Sequence, residues 1–295
     1  MQSRELKATA IGIIAILLWA SLALLTVSAG DIPRFELLTL TFTVAFVSGL
    51  AALTLQGRRG LHQLKQPLAP WLTAFIGIFA YHALYFFALS AAPPAQASLI
   101  AFLWPLLIVL LSSLAERQRL RVAHLAGALL GLAGTATLLL DKDTGPIELD
   151  AAAGYVAALA CALVWSSYSV YNRRFEATPS GMLVGVCGAV ALAGALCHLL
   201  LEETIAPGAT QWATIIALGI GPAGLAFLAW DYGTKHGNLS LLGALSYLAP
   251  LVSTLLLIGA GRAQATWPVA IGLVLIIGGA VIATFRVKPR ARTEP

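Results

Sequence analysis

Residues 95–114 read AQASLIAFLWPLLIVLLSSL, twenty positions without a charge, entered through Pro93-Pro94 and closed by Glu116-Arg117. At a rise of about 1.5 Å per residue such a run covers the ~30 Å of a bilayer's hydrocarbon core. Its apolar residues are continuous, whereas a membrane β-strand would alternate over about ten residues. It is therefore a transmembrane helix. Working outward by the same test, spans are expected at 8–29, 36–56, 68–90, 95–114, 122–140, 152–172, 180–201, 209–231, 239–259 and 267–285. The first is too long for the ~7–15-residue apolar core of a secretory signal. The composition agrees, with 59% hydrophobic and only 11% charged residues. The expected fold is all-α and integral to the membrane, a single domain over 1–295. The longest connections are too short to bury a core of their own.

Orientation follows from where the cations lie. Arg4, Lys7, Arg58, Arg59, Lys65, Arg117, Arg119, Arg121, Arg173, Arg174, Lys235, Arg286, Lys288, Arg290 and Arg292 fall on one side of the ten spans. Only Arg34, Lys142 and Arg262 fall on the other. The positive-inside rule then puts both termini in the cytoplasm. The net charge of +5 reflects topology, and no nucleic-acid partner is expected. Trp71, Trp212, Trp230 and Trp267 lie near span ends, where indole rings favour the interface. Trp19, Trp104 and Trp165 lie deep. Cys161, Cys187 and Cys197 sit inside apolar runs with no disulfide or zinc spacing.

A displacement of 145 residues sets Pro105 on Pro250, Gly127 on Gly272, Gly134 on Gly279 and Tyr85 on Trp230, and one of 146 sets Trp19 on Trp165. Two five-span repeats are thus expected, 8–140 and 152–285. Because five is odd, the second enters from the opposite face, giving the inverted repeat of many carriers.

The stretch from Phe87 to Leu106, the Glu116-Arg117 pair and the glycine-spaced run from Gly127 to Gly134 together resemble the EamA family of the drug/metabolite transporter superfamily. Within it the chain looks most like YddG-type aromatic amino acid exporters, a likeness suggested by the deep Trp and Tyr set and by Tyr81-His82. The resemblance implies a ten-helix carrier working by alternating access in the bacterial inner membrane, with amino acids as substrate class and no cofactor. One departure is that Gly261 stands opposite Glu116, which leaves that acid without a counterpart.

Residues three and four apart share a helix face, so Tyr81, His82 and Tyr85 form one stripe. Ala97, Ala101, Trp104 and Pro105 form another, as do Cys161, Trp165 and Tyr168, and Gly243, Ser246, Tyr247 and Pro250. Adding Trp19, the repeat partner of Trp165, gives the candidate substrate-binding set Trp19, Tyr81, His82, Tyr85, Trp104, Trp165, Tyr168, Ser246 and Tyr247. Rings with a few hydroxyls and an imidazole suit a small amphiphilic solute. Each ring also has a plain packing role open to it. Helix breaks at Pro93-Pro94, Pro105, Gly221-Pro222 and Pro250 free backbone groups that a carboxylate would satisfy.

All acids are expected in connections or at span ends, Glu36 and Asp231 nearest the membrane. Uniport or exchange is favoured over proton coupling on that ground. Export of another small amphiphile or drug is the alternative. A channel would need a filter that the sequence does not show, and an intramembrane enzyme would need a nucleophile fixed beside His82. The expected partners are the substrate and the lipid bilayer. The oligomeric state is left open, a monomer sufficing. No metal site is expected.

Overall fold

A computed structural model of the protein describes residues 2–115, 121–140 and 149–284. Ten of its helices are long and apolar enough to cross a membrane: α1 (Ser3–Ala29), α2 (Arg34–Leu55), α3 (Leu68–Ala91), α4 (Pro94–Ala115), α5 (Val122–Leu139), α6 (Ala152–Phe175), α7 (Met182–Leu201), α8 (Ala209–His236), α9 (Leu239–Gly259) and α10 (Trp267–Thr284). The described residues contain no strand. Glu116, Arg117, Arg119, Lys142, Phe285 and the cations from Arg286 to Arg292 lie outside them.

Helix starts follow backbone chemistry. Pro33, Pro67 and Pro93 immediately precede α2, α3 and α4, where a residue with fixed φ and no N–H to leave unpaired enters a first turn easily. Asn238 caps α9 by accepting the N–H of Leu241 at 2.9 Å. Gly57 and Gly261 turn the chain after α2 and α9 at φ of +66° and +67°, a region costly for a residue with a Cβ.

Four spans are interrupted. α4 has a turn at Phe102 and Leu103, ahead of Pro105, and α9 has one at Ser246 and Tyr247, ahead of Pro250. In α8 the helix widens to π geometry over Gly221–Leu225, at the Gly221-Pro222 step. The break in α1 at Ser21 has no proline. There the Ser21 hydroxyl donates to the Leu18 carbonyl at 2.7 Å, the back-bonding that bends helices.

The spans pack in five main pairs: α1 with α8, α2 with α7, α3 with α6, α4 with α9 and α5 with α10. Small residues set their closeness, as expected where lipid supplies no hydrophobic drive between helices. Gly12 of α1 lies on Gly233 of α8, Gly77 of α3 under the Tyr168 ring of α6, and Gly127 of α5 against Gly279 and Ala283 of α10. Exchanging the first five spans for the last five carries this set of pairs onto itself. At the end bearing Arg34, Glu202 beyond α7 accepts the N–H groups of Phe35 and Glu36. It thereby caps α2, while His198 bonds locally to Glu202 and Thr204.

The eighth span differs from its expected end at 231. The helix continues to His236, and Asp231 and Lys235, expected at a span end and in a connection, are 0% and 2% exposed. One turn apart on the helix, they pair at 2.9 Å. Asp231 also accepts from Asn172 Nδ2 at 2.8 Å and Ser180 Oγ at 2.6 Å, and the Lys235 ammonium donates to the Thr178 carbonyl at 3.0 Å. With every charge partnered, burial no longer requires the helix to stop where charge begins.

Candidate functional site

Rings of α1, α3, α4, α6 and α8 converge on Trp165, and Phe42 of α2 joins them through His82 and Phe227. Its indole lies 5.5 Å from Trp19 and from Tyr81, 5.3 Å from Tyr168, 5.8 Å from Phe227, and 6.3 and 6.2 Å from Trp104 and Trp230, centroid to centroid. Most of these contacts are edge-to-face or tilted, the geometry that the ring quadrupole favours. Trp19 also meets Trp230 at 5.3 Å, and Phe42 packs edge-on to His82 at 5.5 Å. Seven of the nine expected site residues thus come together: Trp19, Tyr81, His82, Tyr85, Trp104, Trp165 and Tyr168.

Exposure divides the cluster. Trp104, Trp165, Tyr168, Phe42, Phe227 and Trp230 are buried, whereas Trp19, Tyr81, His82, Tyr85 and Phe86 keep partial access. The partly accessible side of the cluster therefore comes mainly from α3. Its polar atoms are held by short bonds. The Tyr85 hydroxyl and Ser98 Oγ of α4 are 2.9 Å apart. His82 Nδ1 lies 2.7 Å from the Ile78 carbonyl, and since a carbonyl only accepts, Nδ1 carries the hydrogen. In the neutral ring Nε2 is then left as an acceptor. Among the described residues no buried side-chain nitrogen or oxygen lacks a partner.

The helix breaks feed the cluster as well. The π-helical turn of α8 offers the Pro222 carbonyl to the Trp19 indole N–H at 3.1 Å and the Ala223 carbonyl to the Cys187 thiol at 3.7 Å. Trp230 donates its indole N–H to Ser169 Oγ at 3.1 Å. Each deep tryptophan so anchored is fixed in rotation as well as in position.

Ser246 and Tyr247 stand apart from the rings. The Ser246 hydroxyl donates to Leu242 within α9 at 2.7 Å. The Tyr247 ring lies over Gly131 of α5, and its hydroxyl donates at 3.1 Å to the Phe102 carbonyl, in the break of α4. The two broken helices are thus tied to each other beside the cluster, which Trp104 joins from the other side of the same break.

Phe42, Phe227 and Trp230 belong to the cluster without having been expected there. Trp230 in particular is a correction: placed by its position near an expected span end at the lipid interface, it is 1% exposed and packed on Trp19, Trp104 and Trp165. The error came from ending α8 at Asp231. A signal was available, since the displacement of 145 sets Trp230 on Tyr85. Trp212 and Trp267 are exposed, as a place facing lipid headgroups requires, and Trp71 packs half-buried against Gly185 of α7.

The model of the EamA-like transporter family matches this chain twice, over residues 6–140 and 152–285. The aromatic amino acid exporter YddG of Ancylobacter novellus is 50% identical over 279 residues, covering 94% of this chain and 97% of that protein. The aromatic amino acid exporter YddG of Escherichia coli K12 is 25% identical, covering 94% and 96%. A solved crystal structure, 49% identical, superposes with a TM-score of 0.90 over 94% of this chain and 96% of its own.

Proposed function

The chain belongs to the EamA-like transporter family, and from that premise we propose that it exports amino acids, aromatic and other neutral ones first, across the bacterial inner membrane. The observation that carries this reading is the ring cluster itself, deep in six spans, with hydroxyl and imidazole groups at its accessible face and no fixed charge among its members. A planar side chain stacks on such walls. Its ammonium finds acceptors in His82 Nε2 and the phenolic oxygens, and its carboxylate finds hydroxyl donors. In this reading Trp19, Tyr81, His82 and Tyr85 meet the solute, Trp104, Trp165 and Tyr168 back them, and Ser246 and Tyr247 act through the break in α9.

Two observations support an inverted repeat and alternating access between its halves. The family model fits twice, and exchanging the halves preserves the helix pairs. Uniport or exchange is the proposed energetics. Asp231, the buried acid of α8, is held by Lys235, Asn172 and Ser180 and so ties α8 to its neighbours, away from the rings.

The test is counterflow in proteoliposomes, with labelled tryptophan outside and unlabelled amino acids trapped within. Trapped phenylalanine or tyrosine should drive transient accumulation, and threonine should do so more weakly. No accumulation of labelled tryptophan with any trapped amino acid, in vesicles where a labelled drug or nucleobase does show counterflow, would overturn the reading in favour of another amphiphile.

A further inference from the structure

Where the cluster's helices reach the side rich in cations, they enclose a vestibule of about 790 Å³. Arg4 and Lys7 of α1, Arg121 before α5 and Arg173 of α6 line it, with Glu5 and Glu176 opposing them and the buried Lys235 in its wall. Its residues lie toward the cation-rich end of the helices that carry the ring cluster. Lys7 precedes Trp19 by twelve residues, Ser113 follows Trp104 by nine, Arg173 follows Trp165 by eight and Lys235 follows Trp230 by five. Along straight helices these steps are about 18, 13, 12 and 8 Å.

A polar floor lies between the vestibule and the ring cluster. It consists of the Asp231–Lys235 pair with Asn172 and Ser180, the Ser112–Ser240 hydroxyl contact at 2.7 Å between α4 and α9, and Gly12 packed on Gly233.

We propose that this vestibule is a second substrate site, an entry station that captures the carboxylate of an amino acid before the floor opens toward the rings. The proposal rests on the export reading and on the cytoplasmic placement of the cation-rich side. Membrane orientation asks only that cations be on that side. It does not ask that they surround a concavity on helices that carry an uncharged aromatic cluster, and a concave wall of one predominant sign concentrates the field on what enters. The mixture of signs narrows the ligand. Cations in excess receive a carboxylate, and Glu5 and Glu176 receive an α-ammonium, so the wall matches a zwitterion better than a simple anion. Lys235 is already committed to Asp231 and Arg173 donates to the Gly237 carbonyl, so capture falls to Arg4, Lys7 and Arg121, which are exposed.

The test uses the full chain in phosphatidylcholine vesicles with orientation measured, comparing wild type with the Lys7→Gln, Arg121→Gln double variant. For tryptophan presented at the vestibule face, the variant should raise KM about three- to tenfold with kcat unchanged, the scale expected from losing field focused by two cations. High salt should bring the wild type toward the variant, and tryptamine, which lacks the carboxylate, should show no rise. An unchanged KM or an equal rise for tryptamine would overturn the proposal. So would an effect confined to vesicles containing phosphatidylglycerol, which would assign the cations to a lipid headgroup. A wild type that moves no amino acid would instead remove the export reading, and the vestibule site with it. Because both substituted residues are exposed, the variant should fold normally. Lys7→Gln alone, expected to give a smaller rise of the same kind, guards against misfolding of the double variant.

Discussion

α3 and α8 hold matching places in the two halves, and the displacement of 145 residues sets Tyr81, His82 and Tyr85 on Ala226, Phe227 and Trp230. The first three are polar-edged and partly accessible, whereas the second three are apolar or anchored and buried. Each helix pairs with a member of the opposite half, α3 with α6 and α8 with α1. The packing plan is therefore shared while the chemistry is one-sided. A symmetric scaffold needs only small residues at matching contacts, whereas a site for an asymmetric solute needs different groups on its two walls. In the proposed reading α3 supplies the recognising wall and α8 the supporting one, and of the two helices it is α8 that continues into a buried ion pair.

The largest expected effect tests that last difference. Lys235→Met would leave the Asp231 carboxylate buried and unpaired, a change that typically costs about 3–5 kcal/mol. In detergent this should appear as a sharp fall in thermal stability or in monodisperse yield. Adding Asp231→Asn should recover more than half of the loss, because the stranded charge is what costs most. The matching position on α3 is Ser90, which is exposed and bonds only to the Phe87 carbonyl. Ser90→Ala should stay within about 0.5 kcal/mol of wild type.

The next effect separates support from recognition. Trp230→Ala removes a fully buried ring that packs on three other tryptophans, and losses of this kind run to about 3 kcal/mol or more. Tyr85→Ala, at the matching place, removes a partly accessible ring and should cost under about 1 kcal/mol of stability. Thermal unfolding of the two variants side by side decides the matter. Equal losses would mean that α3 packs as tightly as α8 and that the accessible wall lies elsewhere.

The ten spans were legible because each is an apolar run of bilayer length, and the start of the fourth because Pro93-Pro94 marks helix entry by backbone chemistry. Most of the cluster was legible too, since a face repeats every three to four residues and Tyr81, His82 and Tyr85 or Trp165 and Tyr168 obey that spacing. Trp230 was not, for a definite reason. A charge in the sequence reads as a helix end until its partner is known, and the partners of Asp231 come from Asn172 and Ser180 as well as from Lys235 four residues on. Pairings across the fold are invisible to local spacing. Phe42 and Phe227 escaped differently, since phenylalanine is so common in spans that one facing inward carries no local mark. Ser246 and Tyr247 were drawn in by their place beside Pro250, yet a break redirects the residues around it, and Tyr247 turns toward Gly131 and Phe102.

The smallest effect concerns the solute. Tyr81→Ala takes from the accessible wall a ring that lies 5.6 Å from His82 and 6.0 Å from Tyr85. An aromatic contact is worth about 0.5–1.5 kcal/mol beyond the area it buries, so the apparent affinity for tryptophan or phenylalanine should fall about 2- to 13-fold. Threonine offers no ring to stack and should lose less. Stability should change little, because the buried rings behind Tyr81 hold one another. Trp165→Ala should behave differently, since that ring both backs the wall and joins Trp19, Trp104, Phe227 and Trp230, and it should lower stability and transport of every substrate together. Measuring KM for one aromatic and one small substrate, alongside unfolding of each variant, separates the two roles. If Tyr81→Ala weakens threonine as much as tryptophan, α3 shapes the chamber without reading the side chain, and the recognising wall must be sought on α1 at Trp19.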